Sequence, residues 1–132
     1  MRFARFVFYI AGAYGLLVLA PMFFVYDLVG RQSPPPVTHP EFYYGFVGLG
    51  LVWQIAFLVI ATDPARYRPM MIVSALEKAS YVIAIVVLYL QQRAGLRILT
   101  SSMGDAILGL LFLASFFATR RSAAKLQRAV KP

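Results

Sequence analysis

The chain has 132 residues, of which 61% are hydrophobic and only 14% are charged, whereas soluble domains average roughly 45–50% apolar and roughly 25% charged residues. A soluble fold of this length would need long polar stretches to cover its surface, and none precedes residue 119. The composition therefore excludes a soluble globular domain. The absence of cysteine excludes thiolate and Cys-ligated metal chemistry, and with a single histidine we expect neither a metal nor another cofactor.

Four segments are predicted to cross a membrane as helices. Each crossing of ~30 Å needs roughly 20 apolar residues. Three spans, at about 6–26, 42–61 and 70–90, meet this requirement directly. The fourth is weaker, because its strongly apolar part at 106–118 is too short and the span must begin near Ile98 and include Asp105. The sequence predicts an all-α, integral membrane four-helix bundle over residues 1–119, followed by a tail at 120–132.

The connections between the spans carry breaking signals. Clustered prolines in 27–40 predict an extended loop after the first span. The link at 62–69 is short, with Asp-Pro and Arg-Pro steps, and predicts that the second and third helices are antiparallel neighbours. Pro21 directly after Ala20 disfavours signal-peptide cleavage there, so we expect the first apolar run to be a retained anchor.

The distribution of Lys and Arg predicts the orientation, because cytoplasmic loops are enriched in them. The opposite side of the predicted bundle has only Arg31, Arg93 and Arg97, and Lys78 lies within the third span. The other nine of the 13 basic residues fall on one side: Arg2, Arg5, Arg66, Arg68, Arg120, Arg121, Lys125, Arg128 and Lys131. We therefore predict that both chain ends are cytoplasmic.

The basic tail accounts for much of the net charge of +8. It could continue as a helix with Arg121, Lys125 and Arg128 on one face. Each such charge contributes about 1 kcal/mol of attraction to an anionic membrane surface. We expect the lipid bilayer and its anionic headgroups to be the partners of the tail, and no nucleic acid.

Ionisable residues within spans mark candidate functional sites, because they are costly in the membrane. Glu77 and Lys78 lie roughly 10–12 Å from the cytoplasmic edge of the third span. Asp105 in the fourth span and Trp53 and Gln54 in the second fall at nearly the same depth. These five residues are predicted to meet in one polar layer that binds a lipophilic small molecule or a partner helix.

The helical spacing indicates how these side chains are oriented. Ser74, Glu77 and Ala84 share one stripe, and Ser101, Asp105, Gly109 and Phe112 share another. Lys78 is one position from Glu77, so the two side chains do not face the same point, and Lys78 can extend to the cytoplasmic interface. Two alternatives remain open. In one, Glu77, Gln54 and Asp105 only form interhelical hydrogen bonds, with Lys78 as their counter-ion; in the other, Asp105 is interfacial because the fourth span begins later.

A second constellation is predicted at the outer mouth. Asp27, His39 and Glu41 are candidates there for a proton relay, with Arg93 and Arg97 on the facing loop. The structural alternative is the stronger of the two. In it, Pro40-Glu41 is an ordinary helix start, and Tyr26, Tyr43 and Tyr44 form an interfacial aromatic belt.

The stretch 44–90 has a Gly-rich second span, a Pro-containing basic turn and Glu-Lys in the third span. With Gly104-Asp105 and the segment 108–112, it resembles the DoxX-like small bacterial four-helix membrane proteins. The resemblance implies an accessory subunit of a membrane redox or stress system. The chain is also loosely similar to the sterol-isomerase bundles, but it has no counterpart of their fifth helix or of their His-containing site.

Three functions are left open by the sequence. The first is an accessory or binding protein, alone, as a homo-oligomer or within a membrane complex. The second is a membrane enzyme with Glu77 and Asp105 as acid and base on a lipid. The third is a purely structural subunit. The lack of a nucleophile or metal-ligand arrangement disfavours the enzyme.

Overall fold

The computed structural model describes residues 1–32, 36–120 and 124. Four segments are long and apolar enough to cross a membrane, Arg2–Phe24, Pro40–Thr62, Arg68–Leu90 and Leu96–Ala118, and the described residues contain no strand. The predicted all-α, four-helix membrane bundle is therefore confirmed. Its elements are α1 (Arg2–Leu19), the 3-10 helix η1 (Ala20–Phe24), α2 (Tyr26–Gln32), α3 (Pro40–Thr62), α4 (Arg68–Leu90) and α5 (Leu96–Ala118).

The first span changes its helix type near its end. Pro21 has no amide hydrogen to donate to a carbonyl in the preceding turn. The α-helix therefore ends at Leu19, and a tighter 3-10 helix completes the span to Phe24. The proline that is predicted to lie near the end of this span thus alters the helix without ending the crossing.

The segment after the first span differs from the predicted loop. Its first part, Tyr26–Gln32, is a short α-helix with Asp27 in its first turn and Arg31 in its last. These are the two placements that the helix dipole favours. Residues 36–39, which begin at Pro36, lack regular structure, as the clustered prolines predict.

The four spans form two antiparallel pairs. α1 packs along α3, and α4 packs along α5, whereas α3 and α4 touch only sparsely. The second and third helices are antiparallel neighbours, as predicted, but they pack loosely, because a short link constrains only the helix ends. The pairs meet mainly through α1 and α5, where the rings of Phe8 and Phe112 stack with centroids 4.3 Å apart.

At one end of the bundle, two arginines each join the two helices of one pair. Arg5 donates through Nη2 to the carbonyl of Thr62 at 3.1 Å, and Arg68 donates through Nε to the carbonyl of Phe116 at 3.0 Å. Each arginine thus donates to a carbonyl in the last turn of the helix that it packs against. We call this the basic end, because the described residues predicted to be cytoplasmic gather there: Arg2, Arg5, Arg66, Arg68 and Arg120.

The helical continuation predicted for the tail, with Arg121, Lys125 and Arg128, lies outside the described residues.

The tightly packed core fills the half of the bundle nearest the basic end. Outward-facing positions on every span are large and apolar, for example Leu17, Leu76 and Leu110, as a lipid-facing surface requires. The core consists of Ala4, Val7, Phe8, Ala11, Phe57, Ile60, Ala61, Met71, Ala75 and Phe112.

The predicted orientation can be tested with single cysteines, because the natural chain has none. Ala65→Cys lies at the basic end and Gln91→Cys at the opposite end, and neither changes the basic residues that set the topology. In intact cells a membrane-impermeant maleimide should label the cysteine at 91 and leave the one at 65 unlabelled until the membrane is opened. The reverse pattern would contradict the predicted orientation.

Candidate functional site: a polar layer within the bundle

A polar layer lies where the packed core ends. α5 begins at Leu96, so Asp105 is its tenth residue and lies about 13.5 Å along the helix axis. Glu77 is likewise the tenth residue of α4, counted from the opposite side of the bundle. Both carboxylates therefore lie well inside the spans. The alternative of an interfacial Asp105 at the start of the fourth helix is not the arrangement found.

Lys78 joins the two carboxylates. Its Nζ lies 2.9 Å from Oδ1 of Asp105 and 3.4 Å from Oε2 of Glu77. The Lys78 side chain is only 9% exposed, and its Nζ lies 5.3 Å from the centroid of the Phe57 ring. Lys78 is therefore the counter-ion of the carboxylates, as one alternative from the sequence had it, and it does not extend to the interface. Opposite charges attract strongly where water is scarce.

Lys78, rather than Glu77, lies on the buried face of α4. The buried residues of that helix include Met71, Ser74, Ala75 and Lys78, at a spacing that places them on one side. The Glu77 side chain lies at the edge of this face and is 22% exposed. The signal was present in the sequence, because Met71, Ala75 and Lys78 are related by four and three residues.

The partner face on α5 accommodates the lysine stem. Gly109 and Phe112 are buried there, as predicted, and the Asp105 side chain is 28% exposed. A Cβ at Gly109 would lie 3.4 Å from the Cβ of Lys78, which is van der Waals contact. Gly109 therefore lies directly beside the Lys78 stem. Ser102 and Ser115 are the buried serines of this helix, whereas the predicted Ser101 is exposed.

The two predicted site residues on α3, Gln54 and Trp53, face different parts of the bundle. Gln54 is 3% exposed, donates through Nε2 to the carbonyl of Gly50 at 3.0 Å, and packs against Gly15. Among the described residues it makes no hydrogen bond to Glu77, Lys78 or Asp105. Trp53 faces the gap between α3 and α4. The layer thus consists of one charged triad, formed by Glu77, Lys78 and Asp105. Gln54 lies beside this triad and Trp53 lies outside it.

Two spaces adjoin the triad. The inner cavity, of about 330 Å³, lies among the spans on the side away from the basic end, and Gln54, Lys78 and Asp105 line it. The lateral groove, of about 490 Å³, lies between α3 and α4, and Trp53 and Leu76 line it. The two spaces share four lining residues, Phe46, Gly50, Glu77 and Tyr81.

Glu77 therefore lines both the inner cavity and the lateral groove. Its Oε2 is a buried oxygen without a hydrogen-bond partner in the described part of the chain, and the Lys78 ammonium is 3.4 Å away. A buried polar atom left in this state is costly. The residual exposure of the side chain lies on its other atoms. The site can offer a carboxylate to a polar group that arrives from either space.

The residues predicted at the outer mouth do not form one site. His39 Nδ1 lies 2.9 Å from Oε1 of Glu41, with both side chains largely exposed. Asp27 lies separately on α2 beside a surface depression that Arg31 also lines. Pro40 is the first residue of α3, so the helix-start alternative describes this segment correctly.

The tyrosines at this end cluster as an aromatic belt would. The ring centroids of Tyr26 and Tyr43 are 5.1 Å apart, and those of Tyr43 and Tyr44 are 5.3 Å apart. The Tyr43 hydroxyl donates to the carbonyl of Met22 at 2.8 Å. These contacts join the start of α3 to η1, at the end of the bundle opposite the basic end.

Within residues 1–32, 36–120 and 124, no group of three or more His, Asp or Glu side chains is arranged to hold a metal ion. Comparisons of the chain with protein-family models, with characterised proteins and with solved structures find no significant match. The fold and the triad define the class: a small multi-pass membrane protein with a charged triad between its helices.

Proposed function

We propose that this protein is a binding or accessory protein of the bacterial inner membrane, which holds a lipophilic molecule in the inner cavity. One observation carries the proposal. The cavity has mainly apolar walls, including Val18 and Leu19, and it ends on Lys78 and Asp105 inside the membrane span. An apolar cleft with a few convergent polar groups is the usual form of a small-molecule site.

The lateral groove supports this proposal, because it lies directly beside the cavity on the lipid-facing side of α3 and α4. Residues that line the groove, such as Leu49 and Leu76, are 64% and 62% exposed. A lipophilic molecule is most concentrated in the bilayer, and a route between α3 and α4 avoids transfer through water. Because the DoxX-like resemblance implies accessory subunits, the same site could also receive a helix of a partner subunit or of a second copy.

Two alternatives make different use of the same residues. In a lipid-modifying enzyme, Glu77 and Asp105 would act as acid and base, although both are now held by the same ammonium. In a structural subunit, the Lys78–Asp105 pair would only fix the register of α4 against α5. These alternatives differ from the binding function in what the purified protein carries and in what it turns over.

The proposal predicts that Glu77→Gln and Asp105→Asn each release a co-purifying lipophilic molecule. Each variant removes one charge without changing shape, so retention should fall about tenfold or more, the effect of losing a charge-assisted hydrogen bond. Mass spectrometry of extracts from the detergent-purified protein measures retention, and thermal unfolding measures folding. Both variants should remain folded.

Glu41→Gln is the matched control, because it makes the same chemical change on a side chain that is 64% exposed and outside the cavity. It should retain the molecule fully. A wild-type preparation that carries no lipophilic molecule would refute the proposal. Equal loss of folding in both cavity variants would favour the structural subunit, and lipid turnover that either variant abolishes would favour the enzyme.

A further inference from the structure

We infer that the occupant of the inner cavity is an amphiphile with an ammonium head, which enters through the lateral groove and places its head beside Glu77. This inference rests on the proposed function and names the ligand class that the site selects. It follows from the charge balance of the triad, from the shared wall of the two spaces and from the apolar gap between α3 and α4.

The triad has one negative charge too many. Two carboxylates, on Glu77 and Asp105, share one ammonium, and the described lining of the cavity contains no other charged side chain. The ammonium lies closer to Asp105, at 2.9 Å, than to Glu77, at 3.4 Å. An incompletely compensated carboxylate within a membrane is costly. A second cation beside Glu77 would complete the balance.

The position of Glu77 makes that second cation accessible from the bilayer. Glu77 lines both the lateral groove and the inner cavity, and Tyr81, one turn further along α4, also lines both. A head group moving from the groove towards the cavity would meet Glu77 before it met Lys78. An ammonium is attracted at that point, whereas a carboxylate or phosphate head would be repelled by the net negative triad.

The gap between α3 and α4 also provides room for a long apolar chain. A second groove, of about 370 Å³, lies one helical turn closer to the basic end and is lined by Ala56 and Met70 among other apolar residues. Ala56 follows Trp53 by three residues, and Met70 precedes Val73 by three, so the two grooves lie along the same seam. An extended hydrocarbon chain fits a seam of this kind.

Trp53 supplies the test, because it is the only tryptophan of the chain and it lines the lateral groove. We would titrate the full-length protein in zwitterionic nanodiscs with three bromine-tagged amphiphiles of equal chain length: a primary amine, an alcohol and a carboxylic acid. Bromine quenches tryptophan only at short range. At neutral pH the amine is cationic. It should quench Trp53 saturably, with a midpoint about tenfold below that of the alcohol.

Two variants separate charge from shape. In Glu77→Gln the triad is neutral, so the amine should lose its advantage and match the alcohol. Val73→Phe fills the groove opposite Trp53 and should raise the midpoint for all three amphiphiles. Leu110→Phe, on a lipid-facing position of α5 that is 68% exposed, makes a comparable enlargement away from the groove and should change nothing. Thermal unfolding verifies that each variant folds.

The outcomes separate failure of the proposed function from failure of the ligand class. If no amphiphile quenches Trp53 saturably, both the proposed function and the inference fail. If the alcohol or the acid binds as tightly as the amine, the binding function stands and the ammonium class is overturned. The ammonium class is likewise overturned if Glu77→Gln leaves the preference for the amine intact.

Discussion

Lys78→Met is expected to lower the free energy of unfolding by about 3 kcal/mol, the low end of the range for removing one partner of a buried ion pair. Methionine preserves most of the side-chain volume but leaves Glu77 and Asp105 without their shared ammonium. Both carboxylates border a cavity, and their partial exposure limits the cost. The loss is still several times the ~0.6 kcal/mol that an average interhelical hydrogen bond contributes in a membrane. Denaturant unfolding in mixed micelles measures it.

The control removes all three charges together. Lys78→Met combined with Glu77→Gln and Asp105→Asn leaves no buried charge uncompensated, so stability should return to within about 1 kcal/mol of the natural protein. A single Lys78→Met variant as stable as the natural protein would mean that water already screens the triad. A triple variant as unstable as the single one would attribute the loss to packing of the lysine stem.

Gly12→Ala is expected to destabilise the protein by about 1–3 kcal/mol, the typical cost of overpacking a close contact. A Cβ at this position would lie 2.9 Å from the backbone carbonyl oxygen of Gln54 and 2.8 Å from the side chain of Leu58. The carbonyl belongs to the α3 backbone and cannot rotate away, so α1 and α3 must separate. This cost exceeds the roughly 1 kcal/mol by which alanine is the better helix former.

Gly45→Ala on α3 is the matched control, because a Cβ there would meet nothing within 4 Å. It should leave the unfolding temperature unchanged or raise it slightly, while Gly12→Ala lowers it. Equal shifts in both variants would show that helix propensity, and not the contact between α1 and α3, determines the effect. Gly15 is less suitable for this test, because its added Cβ would meet only the movable side chain of Gln54.

Length and hydropathy were enough to predict the four spans, because a membrane crossing depends on an unbroken apolar run. The pairing of the spans could not be predicted in the same way. It depends on where backbones approach closely, as at Gly12 against α3. The short link between α3 and α4 predicts that these helices are neighbours, but it constrains only two helix ends and not how tightly the remaining turns pack.

The sequence also indicated which residues would meet, but not how they meet. Depth alone brought Glu77 and Asp105 to one layer, because each is the tenth residue of its helix, counted from opposite sides. The sequence left open whether Lys78 extends to the interface or pairs with the carboxylates, since helical position fixes Cβ and four further bonds decide where Nζ lies. The lateral groove lies between α3 and α4, which touch only sparsely, and no local sequence pattern predicts it.

The triad belongs to a single helical hairpin, and this bears on how the chain enters the membrane. Lys78 and Asp105, whose charges meet at 2.9 Å, lie on α4 and α5, the pair joined by the short turn that follows Leu90. When these two helices insert together, Lys78 and Asp105 enter the membrane as a pair. Neither charge then depends on α1 or α3 for a partner. The fourth span, the least hydropathic at 1.6, is thus helped into the bilayer by the lysine of the third.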